Sequence, residues 1–291
     1  MNSDVPQPQG ADVGTRICLV SGADQIRSRS YVNQAVYSRL YGLDYRLECS
    51  LPEGIRNKFF YKTDIMAHVL PKYDWIVWLD DDIYITDFSR DALRDLIGAA
   101  ERDGQFMVIA EGPREPNGMW STVNSGVVCL KNGPEGRELL AAMTDQSVEC
   151  AREWWDPEAH GMFTAGDQDI ITWWLEATGR RGGARIVGHR ELNSRTHYYE
   201  DSLTDAFAVH FCGFPDKELG VAQFGRRFGV GQELVPESLL DRFSVRVRSP
   251  MGRLEYARRA IWMRESSRVK AYLRPYYRRW QAFQADRQAS S

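Results

Sequence analysis

The chain predicts an α/β fold with a mostly parallel central sheet flanked by helices, followed by a basic helical tail. Three features carry that expectation. Short apolar runs recur as continuous stretches rather than alternating ones, the pattern of strands covered on both faces. Amphipathic stretches of helical length lie between them, and strand–helix alternation of that kind builds parallel sheets. Charge is divided between the parts: residues 251–291 hold ten Lys or Arg against three Asp or Glu, a net +7, whereas the first 250 residues carry −10.

In chain order, residues 1–13 are polar and read as disordered. Residues 14–225 form the α/β body, and 226–291 a helical, basic and aromatic extension. Strand candidates are Arg16–Ser21, Trp75–Leu79, Phe106–Ala110, Gly126–Leu130, Ala184–Val187 and Ala208–Cys212. Helix candidates are Ser30–Leu40, Phe60–Leu70, Ser89–Ala100, Pro134–Thr144 and Asp167–Glu176, the last with Asp167 as its N-cap. The first ten residues lack the basic-then-apolar layout of a signal peptide. No stretch reaches the roughly 18 apolar residues of a membrane span. Cys18, Cys49, Cys129, Cys150 and Cys212 match no zinc or CxxC spacing; they read as buried, reduced thiols of a cytoplasmic protein.

Ligands of parallel α/β sheets gather beyond the carboxyl ends of the strands, and the unusual polar clusters fall there. Asp80-Asp81-Asp82 directly follows the apolar run Trp75–Leu79. Three adjacent acids repel one another, and alternate residues of an extended segment face one way, so Asp80 and Asp82 share a side. Two carboxylates completed by substrate phosphates are a common setting for Mg²⁺ or Mn²⁺. The plain alternative is a solvated acidic turn. Ser21-Gly22-Ala23-Asp24, at the end of the first strand, shows neither a P-loop nor a GxGxxG pattern, so ATP and NAD binding are not indicated.

An apolar strand ending in Asp-x-Asp resembles the DxD motif of GT-A fold glycosyltransferases. The lead-in Tyr61–Asp74 resembles that of retaining members, the glycogenin and lipooligosaccharide galactosyltransferase group. Val123–Asn132 (VNSGVVCLKN) resembles a segment of the same enzymes and of the galactomannan galactosyltransferase and xyloglucan xylosyltransferase group. Ala165–Leu175 (AGDQDIITWWL) resembles their DQD helix start, and Val209–Gly213 (VHFCG) the segment holding a metal-binding His. The resemblance spans residues 15–217. It implies a cytoplasmic enzyme moving a hexose or pentose from a nucleoside-diphosphate sugar, UDP favoured, to a hydroxyl on a glycan, lipid-linked glycan or small molecule, with retention of configuration.

On these residues the resemblance places the metal, Mn²⁺ or Mg²⁺, on Asp80, Asp82 and His210. Donor contacts fall to Ser21, Gly22, Ala23, Asp24, Lys62, Asp81, Asn124, Ser125 and Gly126. Gln168 and Asp169 act near the anomeric carbon. The family's Lys-Pro-Trp-like segment is replaced by Phe214-Pro215-Asp216-Lys217, with Lys217 as the substitute diphosphate contact. Each has a structural alternative: Lys62 as a helix-surface lysine, Asn124-Ser125-Gly126 as a turn, Asp169 as an acid favoured by the helix dipole, His210 as a core histidine. Trp173-Trp174 read as core, and Trp154-Trp155 as either packing or an acceptor platform. Two rival functions are a phosphatase or phosphotransferase of the haloacid dehalogenase type, for which Tyr84 stands where Thr or Val belongs, and a non-catalytic carbohydrate-binding protein. The tail, with Arg258, Arg259, Arg268, Tyr272, Tyr276 and Trp280, packs on the body or a second subunit, or lies on the anionic inner face of a membrane; nucleic acid is not the expected partner.

Overall fold

The structure is a computed structural model that describes residues 14–25, 28–49, 60–248 and 251–289; the expectation for residues 1–13 lies outside these. The elements in chain order are β1 (Ile17–Ala23), α1 (Ser30–Tyr41), β2 (Asp44–Cys49), α2 (Tyr61–Val69), β3 (Trp75–Leu79), β4 (Ile83–Ile85), α3 (Ala92–Arg102), β5 (Met107–Ala110), β6 (Asn124–Lys131), α4 (Pro134–Ala142), α5 (Asp145–Trp154), α6 (Pro157–His160), α7 (Asp167–Ala177), β7 (Ala184–Val187), α8 (His189–Leu192), β8 (Ala208–His210), α9 (Lys217–Arg227), α10 (Glu237–Arg242) and α11 (Arg253–Ala289).

The main sheet has the order β2-β1-β3-β6-β5-β7, and β4 pairs with β8 in a second, two-stranded sheet. All pairings in the main sheet are parallel except those made by β6, which runs against β3 and β5. Side chains alternate between two apolar layers, as the period-two geometry of a strand requires. Leu19, Val77 and Val108 join the layer under α1 and α3, while Val20, Ile76 and Trp78 join the layer with α2, α4 and α7. A smaller cluster of Tyr84, Tyr199, Phe211 and Phe224 underlies the two-stranded sheet.

Several details differ from the sequence expectation. The strand β2, at the sheet edge, was not foreseen: DYRLEC is polar, and only the neighbouring β1 recruits it. Asp167 is not an N-cap. Gly166 occupies that position, and Asp167 is the first helical residue with its carboxylate paired to Lys62. Trp154 ends helix α5 and does not lie in a loop. Cys18 and Cys129 are buried, but Cys49 and Cys150 are exposed, and all five cysteines are free thiols.

The tail forms one long helix. A cation–π contact of Arg226 with Tyr256 and ion pairs of Arg259 with Asp216 and Glu218 hold its start against α9. Ala260 and Met263 are half-buried, but the aromatics further along stand out: Trp262 is 74% exposed and Tyr272 70%, and Tyr276, Tyr277 and Trp280 are also exposed. Among the described residues no helix is long and apolar enough to cross a membrane.

Candidate active site

The carboxyl ends of β1 and β3 open onto a cleft of about 480 Å³, lined by Gly22, Ala23, Asp24, Lys62, all three acids of the triplet, Asn124, Ser125, Gly126, Gln168, His210 and Lys217. Because β6 is antiparallel, its amino end lies at the same edge as the carboxyl ends of its neighbours. That is how Asn124 to Gly126, residues of a strand start, reach a site built on strand ends. The peptide N–H of Asp80 donates to the Gly126 carbonyl at 2.9 Å, extending the β3–β6 ladder into the triplet. The β5–β6 register slips between Ile109 and Ala110, so that Ala110 faces Asn124. Such an irregularity bends the strand and re-aims its side chains.

The second sheet explains why a histidine 128 residues downstream meets the triplet. Its ladder sets His210 opposite Ile83, and the Phe211 N–H donates to the Asp82 carbonyl at 3.1 Å. The imidazole Nε2 then lies 3.1 Å from Asp82 Oδ1 and 3.9 Å from Asp80 Oδ2. One ligand atom each from Asp80, Asp82 and His210 falls within a 4.8 Å span. Gly126 makes this possible. A Cβ there would stand 2.6 Å from His210 Cε1 and 2.7 Å from Nδ1, so only a glycine leaves room for the ring. The resemblance assigns Gly126 to the donor; it lines the cleft and also makes room for the histidine.

Two lysines hold the acids in place. Lys217 Nζ is 2.6 Å from Asp82 Oδ2. Lys62 is buried, donates to the Ser125 carbonyl at 2.9 Å, lies 3.5 Å from Asp80 Oδ1 and pairs with Asp167. The helix-surface alternative for Lys62 is thereby ruled out: its ammonium ties α2, β6 and α7 together. Burial works against the charge on Lys62, yet Asp167 and Asp80 outweigh it and hold the amine above the usual lysine range. The two outer acids diverge. Burial raises Asp80 more than Lys62 and His210 lower it. For Asp82 burial is outweighed by His210 and Lys217, which hold it below the ordinary carboxylate range. The indole Nε1 of Trp78 donates to Asp80 Oδ1 at 2.7 Å and fixes that carboxylate's orientation.

Other expected residues have structural partners of their own. Ser21 is buried inside β1 and does not line the cleft. The Asp81 carbonyl accepts from Ser28 and Ser30 at 2.5 Å, which pins the middle of the triplet to the start of α1. Asn124 is buried and bonded through its Oδ1 to Asn193 Nδ2 at 2.5 Å. Asp169, expected at the anomeric centre, is 1% exposed and is not part of the cleft lining. Its Oδ2 accepts from Thr164 N–H at 2.6 Å and Thr164 Oγ1 at 3.0 Å, bracing a turn in which Ala165 adopts φ 57°. A non-glycine residue in that region is strained by about 1–3 kcal/mol and persists only where its surroundings hold it. Gln168, not Asp169, faces the cleft from this turn. The Trp154-Trp155 pair packs on His160 and Phe163 outside the cleft lining.

Sequence reading missed a further part of the cleft lining, Glu115, Met119, Trp120, Met162, Arg195 and Cys212. These residues sit in loops whose composition carries no motif. Pairings between loops gather them. The Met162 N–H donates to the Trp120 carbonyl at 2.8 Å, the Ser194 N–H donates to the Ala208 carbonyl at 2.9 Å, and the His210 N–H donates to the Ser194 carbonyl at 3.0 Å.

No protein-family model matches the chain, and no curated protein matches it. Among solved structures, a glycosyltransferase involved in glycosylating the major capsid of PBCV-1 is 18% identical and superposes with a TM-score of 0.52 over 76% of this chain and 100% of its own. The glycosyltransferase GlyE of Streptococcus pneumoniae TIGR4, in its apo form, is 16% identical with a TM-score of 0.41 over 79% of this chain and 64% of its own. The fold, carried by the first likeness and the topology above, is the GT-A glycosyltransferase fold. At such identities the likeness extends to the fold and stops there.

Proposed function

We propose that the chain is a metal-dependent glycosyltransferase, moving a hexose or pentose from a nucleoside-diphosphate sugar, UDP favoured, to a hydroxyl acceptor. The convergence of Asp80, Asp82 and His210 on the floor of a cleft in a GT-A fold carries this reading. The donor set, two carboxylates and an imidazole, fits Mn²⁺ better than Mg²⁺, which prefers oxygen. A divalent cation bound there would offset the charge that develops on a departing diphosphate. Trp78 and Lys217 hold the two carboxylates in the orientation that faces His210. Lys217, 40% exposed, also has the reach to contact a phosphate. Gly22 to Asp24 offer the end of β1 to the base and ribose, and Gln168 offers its amide to the sugar. Asp169 acts through the 164–166 turn as a positioning residue. Retention of configuration rests on the motif resemblance.

The test is nucleotide release from a panel of nucleotide sugars with Mn²⁺. Turnover that needs the cation and disappears in Asp82→Asn is expected. Activity unchanged in that variant refutes the metal assignment, and sugar binding without release makes the chain a carbohydrate-binding protein. The exposed aromatics of α11, interleaved with arginines, support peripheral attachment to an anionic membrane. Sedimentation with anionic vesicles is expected for the whole chain and not for a version ending at residue 250. Equal sedimentation, or dimerisation through the same face, rejects that attachment.

A further inference from the structure

Arg195 is unusual among the cleft residues. It is 8% exposed, and its guanidinium is held on one edge by Glu115, Nε to Oε1 at 2.6 Å. Among the described residues its Nη1 is buried with no hydrogen-bond partner. A buried donor left unpaired costs about 1–3 kcal/mol, more when charged, so a native structure keeps one where something else supplies the acceptor. Glu115 is fixed by its own turn, its N–H donating to the Met119 carbonyl and its carbonyl accepting from Gly118, both at 2.8 Å. The strand pairing of Ser194 with Val209 sets Arg195 beside the segment that carries His210 and Cys212. Arg195 and Glu115 therefore line the same cleft as Asp80, Asp82 and His210, together with Met119 and Met162, 39% and 40% exposed.

We propose that Arg195 and Glu115 form an acceptor subsite for a saccharide, clamping neighbouring hydroxyls of one sugar ring. The charge balance selects this ligand. One carboxylate already neutralises the guanidinium, so the pair has no net charge with which to hold a further anion. What it offers is the unpaired donor Nη1, which a small turn of the guanidinium uncovers to a ligand, beside a partly exposed acceptor, the Glu115 carboxylate, 32% accessible. A hydroxyl oxygen accepts from the first while its neighbour donates to the second. The apolar wall of Trp120, Met119 and Met162 suits the C–H face of a pyranose. A simple alkyl alcohol, with one hydroxyl, lacks the second of the two neighbouring hydroxyls that this clamp pairs, a mismatch against which such a site discriminates.

This subsite rests on the glycosyltransferase reading, and the experiment separates the two. Saturation-transfer NMR is run on the full chain with a panel of methyl hexosides and pentosides, with and without Mn²⁺ and UDP, while UDP affinity is measured by titration. At least one glycoside is expected to bind, with affinity falling tenfold or more in Arg195→Gln and in Glu115→Gln. Affinity for UDP is expected to stay within twofold in both. Glu115→Gln keeps the side-chain volume, so a folding defect in the arginine variant does not decide the matter. If UDP binds and no glycoside does, or if Arg195→Gln loses UDP to the same degree, the subsite is overturned. Glycoside binding that depends on Arg195 in a chain that binds no nucleotide keeps the clamp and instead overturns the proposed function.

Discussion

Replacing Gly126 by alanine tests the steric logic of the metal site in isolation. The position has an extended backbone with no positive φ, so a Cβ adds no conformational strain. Its effect comes from space alone. The new methyl would lie 2.6 Å from His210 Cε1, 2.7 Å from Nδ1 and 3.0 Å from Asn193 Nδ2. Carbon contacts relax to about 3.5–4.0 Å, so the imidazole must retreat by roughly 1 Å. Overpacking of this kind costs about 1–3 kcal/mol, which for a chain of this size lowers Tm by on the order of 5 °C. Metal ligands tolerate only about 0.2 Å of displacement, and disturbing a ligand's support typically costs about 10–100-fold in metal affinity. Mn²⁺ titration followed by thermal shift reads both effects. Gly98→Ala in α3 is the control: the nearest atom to its Cβ is Arg102 Nη1 at 3.6 Å, and it is expected to stabilise by about 0.5–1 kcal/mol. A Gly126→Ala protein with wild-type Tm and unchanged Mn²⁺ affinity would falsify the placement of His210 against this strand.

Lys62→Met removes the buried partner of Asp167 and is expected to destabilise by about 3–5 kcal/mol, as loss of one member of a buried pair does; a denaturant midpoint close to wild type refutes the tie between α2 and α7. For Asp216, partial burial raises its pKa, but Arg259 and the Leu219 N–H outweigh it and hold it below the ordinary value. A depressed folded pKa contributes stability that is fully present above the unfolded pKa of about 3.9 and is lost as pH falls through the folded value. The stability gap between wild type and Arg259→Ala is therefore expected to be constant near neutrality and to close below about pH 4; a gap independent of pH refutes the ion pair. Brief alkylation at pH 8 followed by mass spectrometry is expected to label Cys49 and Cys150 first. Burial pushes the Cys18 and Cys212 thiols up to about 11 and Cys129 up to about 12. Labelling of Cys212 as fast as Cys150 means that the cleft opens further than this structure allows.

Much of the site was legible because its chemistry is local. A carboxylate pair after an apolar strand is visible in thirteen residues, although Asp80 and Asp82 reach His210 through a turn, closed by the Ile83 N–H on the Asp80 carbonyl, and not through the expected extended alternation. The continuous apolar runs of β1, β3 and β5 and the helical stretches between them followed from periodicity alone. Strand direction did not, because a buried strand shows the same composition either way. The antiparallel course of β6, which brings Gly126 against His210, was accordingly invisible. Asp169 and Asp167 also exchanged their expected parts. Both are acids at a helix start, and which one braces the turn and which one meets Lys62 depends on where α2 passes.

The sequence by itself determined the α/β class and the acid pair, since these are set by patterns within single segments; His210 entered as their companion only through the family resemblance. Tertiary structure alone decided that Gly126 serves the imidazole, that Lys62 is a buried tie and that Glu115 and Arg195 face each other. Those contacts join segments up to 105 residues apart, as with Lys62 and Asp167. No local composition encodes such a meeting; it exists only once the sheet has fixed where each loop begins and ends.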